Sequence, residues 1–206
     1  MGATASVVAT DTDIRIETVF SAVIGQLTAD NVALVSGASV TAAAGVLTNI
    51  TAINLRVEAA NSAGAVSERL RTAVATLAVD ANGIFVSQSG DLQIATVAPV
   101  EVDTFAADGS VSAVTDLDPL SDLVADSGGD IVVVVNDGEL VLDDGVDADG
   151  ISVHALGGGS VYLETATATE SIDARASVLV DAGALSVRSG GALTLGVDVL
   201  FQSVGG

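Results

Sequence analysis

The sequence predicts an all-β fold in which short strands stack as a parallel β-helix, a β-solenoid with about 20–21 residues per coil. Three observations lead to this prediction. Short apolar segments recur at a nearly constant interval, half of the 206 residues are hydrophobic, and only 2% are aromatic. Aromatic rings normally fill irregular space in globular cores. A core of valine, isoleucine, leucine and alanine instead indicates a narrow and regular interior.

The recurring segments are clearest from Asp91 onward. Written there in rows of twenty, four of the five full rows end on small or acidic turn residues, and most begin with an alternating or apolar segment. Strands this short do not form a stable hairpin alone, so each is expected to pair in parallel with its equivalent one coil away. In IVVVV, alternation places Ile131, Val133 and Val135 on one face. The interval predicts about eight to ten coils.

The first 82 residues fit this interval less well. The segment TNITAINLRVEA alternates as a strand does, with one slip. In the segment after it, Val66, Leu70, Val74 and Leu77 fall at helical spacing, which predicts a short helical insertion near 63–74. A strand pair joined by a polar loop is the alternative for the same residues. The segment GIFVSQSGDLQI then predicts a strand, a turn and a second strand.

These patterns predict one β-solenoid domain over 1–206, with an irregular part over 1–82 and more regular coils over 83–206. A strand-like pattern begins almost directly after Met1, and no signal-peptide pattern precedes it. We therefore expect the chain to be a segment of a longer protein. The rival fold is a tandem of two β-sandwich domains, which predicts antiparallel hairpins and a boundary near 80–90.

Charge and composition exclude several classes of partner. The chain carries a formal charge of −21 and contains no lysine. A surface of this sign repels phosphate groups, which argues against nucleic acid and against an anionic membrane surface. No window offers about 18 uninterrupted apolar residues, so no membrane insertion is predicted. The absence of cysteine excludes a disulfide scaffold and a thiolate metal site.

Acidic turns supply the one cofactor prediction. The sequence DDGVDADG brings four carboxylates within seven residues: Asp143, Asp144, Asp147 and Asp149. Hard oxygen ligands suit calcium, although the spacing matches neither an EF-hand loop nor a glycine-rich calcium-binding nonapeptide. The sequence therefore predicts calcium at these four residues, while the fold itself requires no cofactor. A second, weaker acidic set is Asp116, Asp118, Asp122 and Asp126.

Other chemistry is poorly supported by the sequence. His154 is the only histidine, and no nucleophile and orienting acid accompany it in the sequence as a triad would require. The triplet Gly157, Gly158 and Gly159 lacks the lysine and spacing of a phosphate loop and is better explained as a wide turn at a coil corner. We therefore predict no catalytic residues and no enzymatic activity.

Longer phrases carry a resemblance to a known family. The segments ATDTDIRIET, GIFVSQSGDLQIATV, GDIVVVVNDGELVLDDGVDADGISV and SGGALTLGVDVLFQSVGG resemble the repeats of very large bacterial surface proteins, the adhesin-like, filamentous-haemagglutinin-type β-strand-repeat proteins. The resemblance covers most of the chain and lies in rhythm and turn residues, not in a catalytic signature. It implies a right-handed parallel β-helix, a cell-surface or secreted location, and a role as a stalk or adhesive segment. The predicted helical insertion departs from this pattern.

The function expected from these observations is that of a non-enzymatic structural or adhesive segment. Its partners would be adjacent repeats of the same parent chain, with host or matrix glycans and proteins as further candidates. The alternative is a self-assembling extracellular filament whose identical subunits stack end to end. A third and weaker alternative is a polysaccharide-active β-helix enzyme, which needs paired acids in a groove beside a cation.

Overall fold

The computed structural model describes residues 5–105, 107–115 and 118–205. Within these ranges the chain forms strands, turns and bends but no helix, and so contains no apolar helix of bilayer-spanning length. The strands in chain order are β1 Ser6–Val8, β2 Asp13–Thr18, β3 Ala22–Ile24, β4 Gln26–Thr28, β5 Asn31–Ser36, β6 Val40–Ala42, β7 Ile50–Ala63, β8 Leu70–Gln88, β9 Leu92–Ile94, β10 Glu101–Phe105, β11 Val111–Thr115, β12 Leu123–Ala125, β13 Ile131–Val135, β14 Leu140–Leu142, β15 Ile151–Ala155, β16 Val161–Thr165, β17 Ile172–Ala174, β18 Ser177–Val180, β19 Leu185–Arg188, β20 Leu193–Leu195 and β21 Phe201–Ser203.

Nineteen of these strands belong to one hydrogen-bonded parallel sheet, and β10 and β11 form a separate antiparallel hairpin. Each strand from β1 to β4 and from β12 to β18 pairs with the strand three places later, as β2 does with β5 and β18 with β21. One path of pairings runs through β2, β5, β7, β8, β12, β15, β18 and β21. The tandem-sandwich alternative predicts antiparallel hairpins throughout and does not describe this sheet.

The long strands β7 and β8 each pair with several shorter strands. The fourteen residues of β7 pair in turn with β4, β5 and β6. The nineteen residues of β8 pair with β7 on one side and with β9, β12 and β13 on the other. The backbone of β7 and β8 therefore stays extended at positions where other parts of the chain turn between separate short strands.

The spacing between paired residues is less regular than the predicted 20–21 residues. Ile14 pairs with Val32, 18 positions later, whereas Leu123 pairs with Val153, 30 positions later. Turns of different length join strands that nevertheless keep their register, because hydrogen bonding and core packing fix the strands against one another. The largest intervals separate β8 and β9 from their partners β12, β13 and β14, and these intervals contain the β10–β11 hairpin.

The helix predicted near 63–74 is wrong, and the alternative of two strands joined by a polar loop is confirmed. Residues 64–69 form the connection between β7 and β8, and Val66 is exposed. Leu70, Thr72 and Val74 are all buried along one face of β8. Leu70 and Val74 are four positions apart, an even spacing that fits one face of a strand as well as one face of a helix.

The core is a single aliphatic cluster that extends from Ile14 to Val180. The predicted inward face of β13 is confirmed, since Ile131, Val133 and Val135 are fully buried. Such alternation places branched side chains of successive paired strands directly above one another.

Polar side chains also stack between paired strands. Asn31 Nδ2 donates to Asp13 Oδ1 at 2.6 Å, and Asn54 Nδ2 donates to Asn31 Oδ1 at 2.7 Å. These three residues are register partners on β2, β5 and β7. Each amide hydrogen-bonds its neighbour, which satisfies polar groups at a corner of the sheet.

Candidate functional site

Register brings two acidic segments of the chain side by side. Asp122 directly precedes β12, and the DDGVDADG loop over 143–150 directly precedes β15. Because β12 and β15 pair in parallel, with Leu123 opposite Val153, the segments entering them are neighbours. Carboxylates about 25 positions apart in the sequence therefore meet where β12 and β15 begin.

Three carboxylates form the centre of this site. The nearest ligand oxygens of Asp122, Asp147 and Asp149 all lie within 4.8 Å of one another. Asp147 and Asp149 are exposed, whereas Asp122 is only 4% exposed. The Oδ1 atom of Asp122 is buried and accepts no hydrogen bond. An unsatisfied carboxylate oxygen is costly in a protein interior.

The electrostatics of the cluster follow from this burial. Desolvation, and then the carboxylates of Asp147, Asp149 and Asp144, raise the pKa of Asp122 from 3.8 to about 8. Burial disfavours the charged form, and like charges nearby disfavour it further. Without a cation, the folded protein therefore retains a proton on Asp122 at neutral pH.

This proton predicts a pH dependence of stability in metal-free buffer. The folded-state pKa of Asp122 is raised, so its contribution is fully present below about pH 4 and is lost as the pH rises toward about 8. We expect the free energy of unfolding to fall by about 2 kcal/mol over that range. This is less than the full shift implies, because the exposed side chains of Asp147 and Asp149 can move away from Asp122. Urea unfolding with chelator checks the slope, and Asp122→Asn should flatten it; an unchanged slope in that variant would contradict the assignment.

Backbone conformation gives the 143–150 loop its shape. Asp149 Oδ1 accepts a hydrogen bond from the Ile151 amide at 2.8 Å, and Asp144 Oδ1 accepts one from the Gly150 amide at 3.1 Å. Gly150 has a φ of 79°, in the region that favours glycine. A side chain at Gly145 would overlap Ser121, so glycine there lets the loop lie against the segment that carries Asp122.

The segment that carries Asp122 also forms the base of the β10–β11 hairpin. Val97 precedes β10 and Leu120 follows β11, and the two residues form an antiparallel bridge that joins the ends of the hairpin. The Thr96 hydroxyl lies 2.8 Å from the Ser121 hydroxyl and accepts a hydrogen bond from the Val146 amide at 2.7 Å. The acidic cluster therefore lies where the hairpin base meets the 143–150 loop.

The predicted ligand residues do not all belong to this cluster. Asp147 and Asp149 lie in it and Asp144 lies close enough to raise the pKa of Asp122, but Asp143 is engaged elsewhere. Asp143 Oδ2 accepts hydrogen bonds from Gln93 Nε2 at 2.8 Å and from the Arg175 guanidinium at 3.5 Å.

Asp122 comes from the second acidic set, whose other members are dispersed. Asp118 offers its backbone carbonyl to the buried Arg56, which reaches it at 2.9 Å and also pairs with Glu58. Asp126 is exposed at the other end of β12, and Asp116 lies outside the described residues. The signal that could have identified Asp122 is its position. It directly precedes β12, which pairs with β15, and Asp149 lies in the loop that enters β15.

Two other groups of titratable residues lie on the outer faces. His154 Nε2 is 3.1 Å from Asp181 Oδ1, and this contact, with the Gly157 amide, lowers the pKa of Asp181. Glu58 and Asp80 are register partners on β7 and β8, and burial together with nearby carboxylates raises the pKa of Asp80. Neither group adds to the acidic cluster at the hairpin base.

The two ends of the sheet expose apolar side chains. Among the described residues, β1, β2 and β3 each have a strand partner on one side only, as do β19, β20 and β21. The exposed apolar residues near these ends are Val7, Val8, Val19, Phe20 and Val23 at one end and Leu193, Leu195, Val197, Leu200 and Val204 at the other. Unpaired edges of this kind favour the addition of further strands.

Comparisons with protein-family models, curated proteins and solved structures found no match.

Proposed function

We propose that the chain is a right-handed parallel β-helix and that it serves as a non-enzymatic structural or adhesive segment of a bacterial cell-surface or secreted protein. The observation that carries the proposal is the parallel pairing of strands three places apart, which fits a spiral with three strands per turn. Parallel strands joined by a crossover are right-handed in almost all proteins, which supports the hand.

The proposed spiral suits a spacer. The path of pairings that begins at β2 and ends at β21 passes through eight strands. At about 4.8 Å between strands, eight levels extend about 34 Å. Each turn would be stabilised mainly by its two neighbours, so such a segment can be lengthened by adding turns. The charge of −21 keeps the outer faces hydrated.

The partners of this segment would be adjacent repeats of the same parent chain, which would cover its exposed ends. Host or matrix glycans and proteins remain proposed contacts of its outer faces. The exposed edges favour one alternative function, a filament whose identical subunits stack end to end, because β1–β3 and β19–β21 are open parallel edges of the same sheet.

Cell-surface labelling tests the leading proposal. Antibodies against the chain should label intact cells of the bacterium that produces it, or be depleted from solution by its culture medium, and surface protease should remove the signal. A cytoplasmic protein of the same cells serves as the control. Labelling that appears only after lysis would contradict a surface or secreted location.

Sedimentation velocity separates the scaffold from the filament. The isolated chain should sediment as one species of 20.2 kDa at all concentrations if it is a segment of a longer scaffold. Species that grow with concentration would favour the filament. In that case Leu195→Asp, which places a charge at the open edge strand β20, should restore the small species.

A further inference from the structure

We propose that Asp122, Asp147 and Asp149 bind one divalent cation of the calcium type, and that the ion fastens the base of the β10–β11 hairpin to the 143–150 loop.

The spacing of the carboxylates fits a single ion. Calcium binds oxygen at about 2.3–2.6 Å, so two ligands of one ion are at most about 5 Å apart. The three nearest oxygens of Asp122, Asp147 and Asp149 all lie within 4.8 Å of one another. They can therefore share one ion with small side-chain adjustments.

The buried Asp122 oxygen is an independent indication of a ligand. Asp122 is 4% exposed, and its Oδ1 atom has no hydrogen-bond partner. Arg175, whose guanidinium reaches the 143–150 loop, pairs there with Asp143 and also pairs with Asp173. A cation between Asp122 and the two exposed carboxylates would supply the missing interaction and offset the repulsion among them.

The ligand chemistry selects hard divalent cations. All three side chains offer carboxylate oxygens, the chain has no cysteine, and its single histidine pairs with Asp181. Two exposed ligands on a loop leave room for the water molecules that complete six to eight positions around calcium. Magnesium requires shorter distances and nearly octahedral geometry, which a loop ligand set of this kind is less suited to impose. With three carboxylates and an exposed loop, we expect a dissociation constant of about 0.1–1 mM, as in extracellular calcium modules.

The position of the site defines what the ion would do. Asp122 follows the hairpin base, where Val97 and Leu120 form a bridge, while Asp147 and Asp149 lie on the loop that enters β15. The ion would therefore add a link between an inserted hairpin and the next layer of strands. Calcium is expected to slow hydrogen exchange of the Val97, Leu120 and Val146 amides, which lie at this junction.

Calcium titration of the full chain by calorimetry tests the proposal. We expect one site, with calcium bound at least about fivefold more tightly than magnesium at matched ionic strength. Asp122→Asn and Asp147→Asn should each weaken calcium binding by at least about tenfold. Asp126→Asn, which removes an equal charge four positions from Asp122, and Asp143→Asn should each change it by less than about threefold.

Each other outcome overturns the proposal. Equal losses in all four variants would show diffuse screening by acidic residues. A larger loss in Asp143→Asn than in Asp122→Asn would place the ion on the contiguous DDGVDADG segment alone. No heat of binding up to about 10 mM calcium would exclude a site in the stated range. Asp122→Asn should remain folded, because asparagine is close in size to a protonated aspartate and is likewise uncharged. Circular dichroism checks this, and Asp147→Asn provides the test at an exposed position.

Discussion

Replacing Gly159 with alanine is expected to lower the free energy of unfolding by at least about 3 kcal/mol. A Cβ atom at this position would overlap the backbone carbonyl of Gly129, which precedes β13, the strand that pairs with β16. The same relation holds at the next paired strand, β19, where a Cβ atom at the preceding Gly183 would overlap the Gly159 carbonyl. The backbone cannot yield without separating paired strands on both sides, so the strain reaches the hydrogen bonds of the sheet.

Gly158 provides the matched control for this substitution. A Cβ atom there meets nothing within 4 Å, and its backbone is outside the left-handed region. Gly158→Ala should therefore change the free energy of unfolding by less than about 0.5 kcal/mol. Urea unfolding of both variants makes the comparison, and equal effects at the two positions would show that the layers are not in close contact at this corner.

Replacing Ile131 with alanine is expected to lower the free energy of unfolding by about 2–4 kcal/mol. Ile131 is fully buried and lies between its register partners Ile84 and Val161. Removing its side chain leaves a cavity that neighbouring layers can fill only by moving out of register. The loss therefore combines lost apolar burial with a cavity that cannot collapse.

The next residue on the same strand is the control for Ile131. Val132 points to the opposite face and is only partly buried. Val132→Ala should lower the free energy of unfolding by less than about 1 kcal/mol. Guanidinium unfolding measures both variants. A loss at Val132 as large as that at Ile131 would contradict the assignment of the inward face.

Strand alternation made part of the fold predictable. The inward face of β13 follows from sequence because every second residue of a strand points the same way. The number of residues between paired strands does not follow from sequence, because turns can lengthen without disturbing the strands that they join. Leu123 and Val153 remain paired across 30 positions. The predicted helix failed at Leu70 and Val74, whose spacing satisfies both periods, so only tertiary pairing decides between them.

The candidate cation site shows a similar division. Asp147 and Asp149 were identifiable as acidic residues in a glycine-containing turn, but so was Asp143, which the structure instead places beside Arg175. Asp122 could not be assigned to the cluster from spacing, since the register of β12 with β15 brings it there. Burial of its carboxylate, which distinguishes it from its exposed neighbours, is likewise a property of packing between layers.

In this fold, segments distant in sequence lie side by side in parallel, with a defined register. Engineered disulfides test it directly, because the natural chain has no cysteine. Val132 and Tyr162 are register partners, so their Cα atoms should lie about 4.8 Å apart, within the range of a disulfide. Glu164, two positions further along β16, should be about 8 Å from Val132 and beyond that range.

Mass spectrometry after mild oxidation reads out the result. We expect the V132C/Y162C variant to form an intramolecular disulfide in high yield and the V132C/E164C variant to form little. A disulfide in the second variant with none in the first would contradict the register, and the absence of a disulfide in both would contradict the stacked arrangement itself.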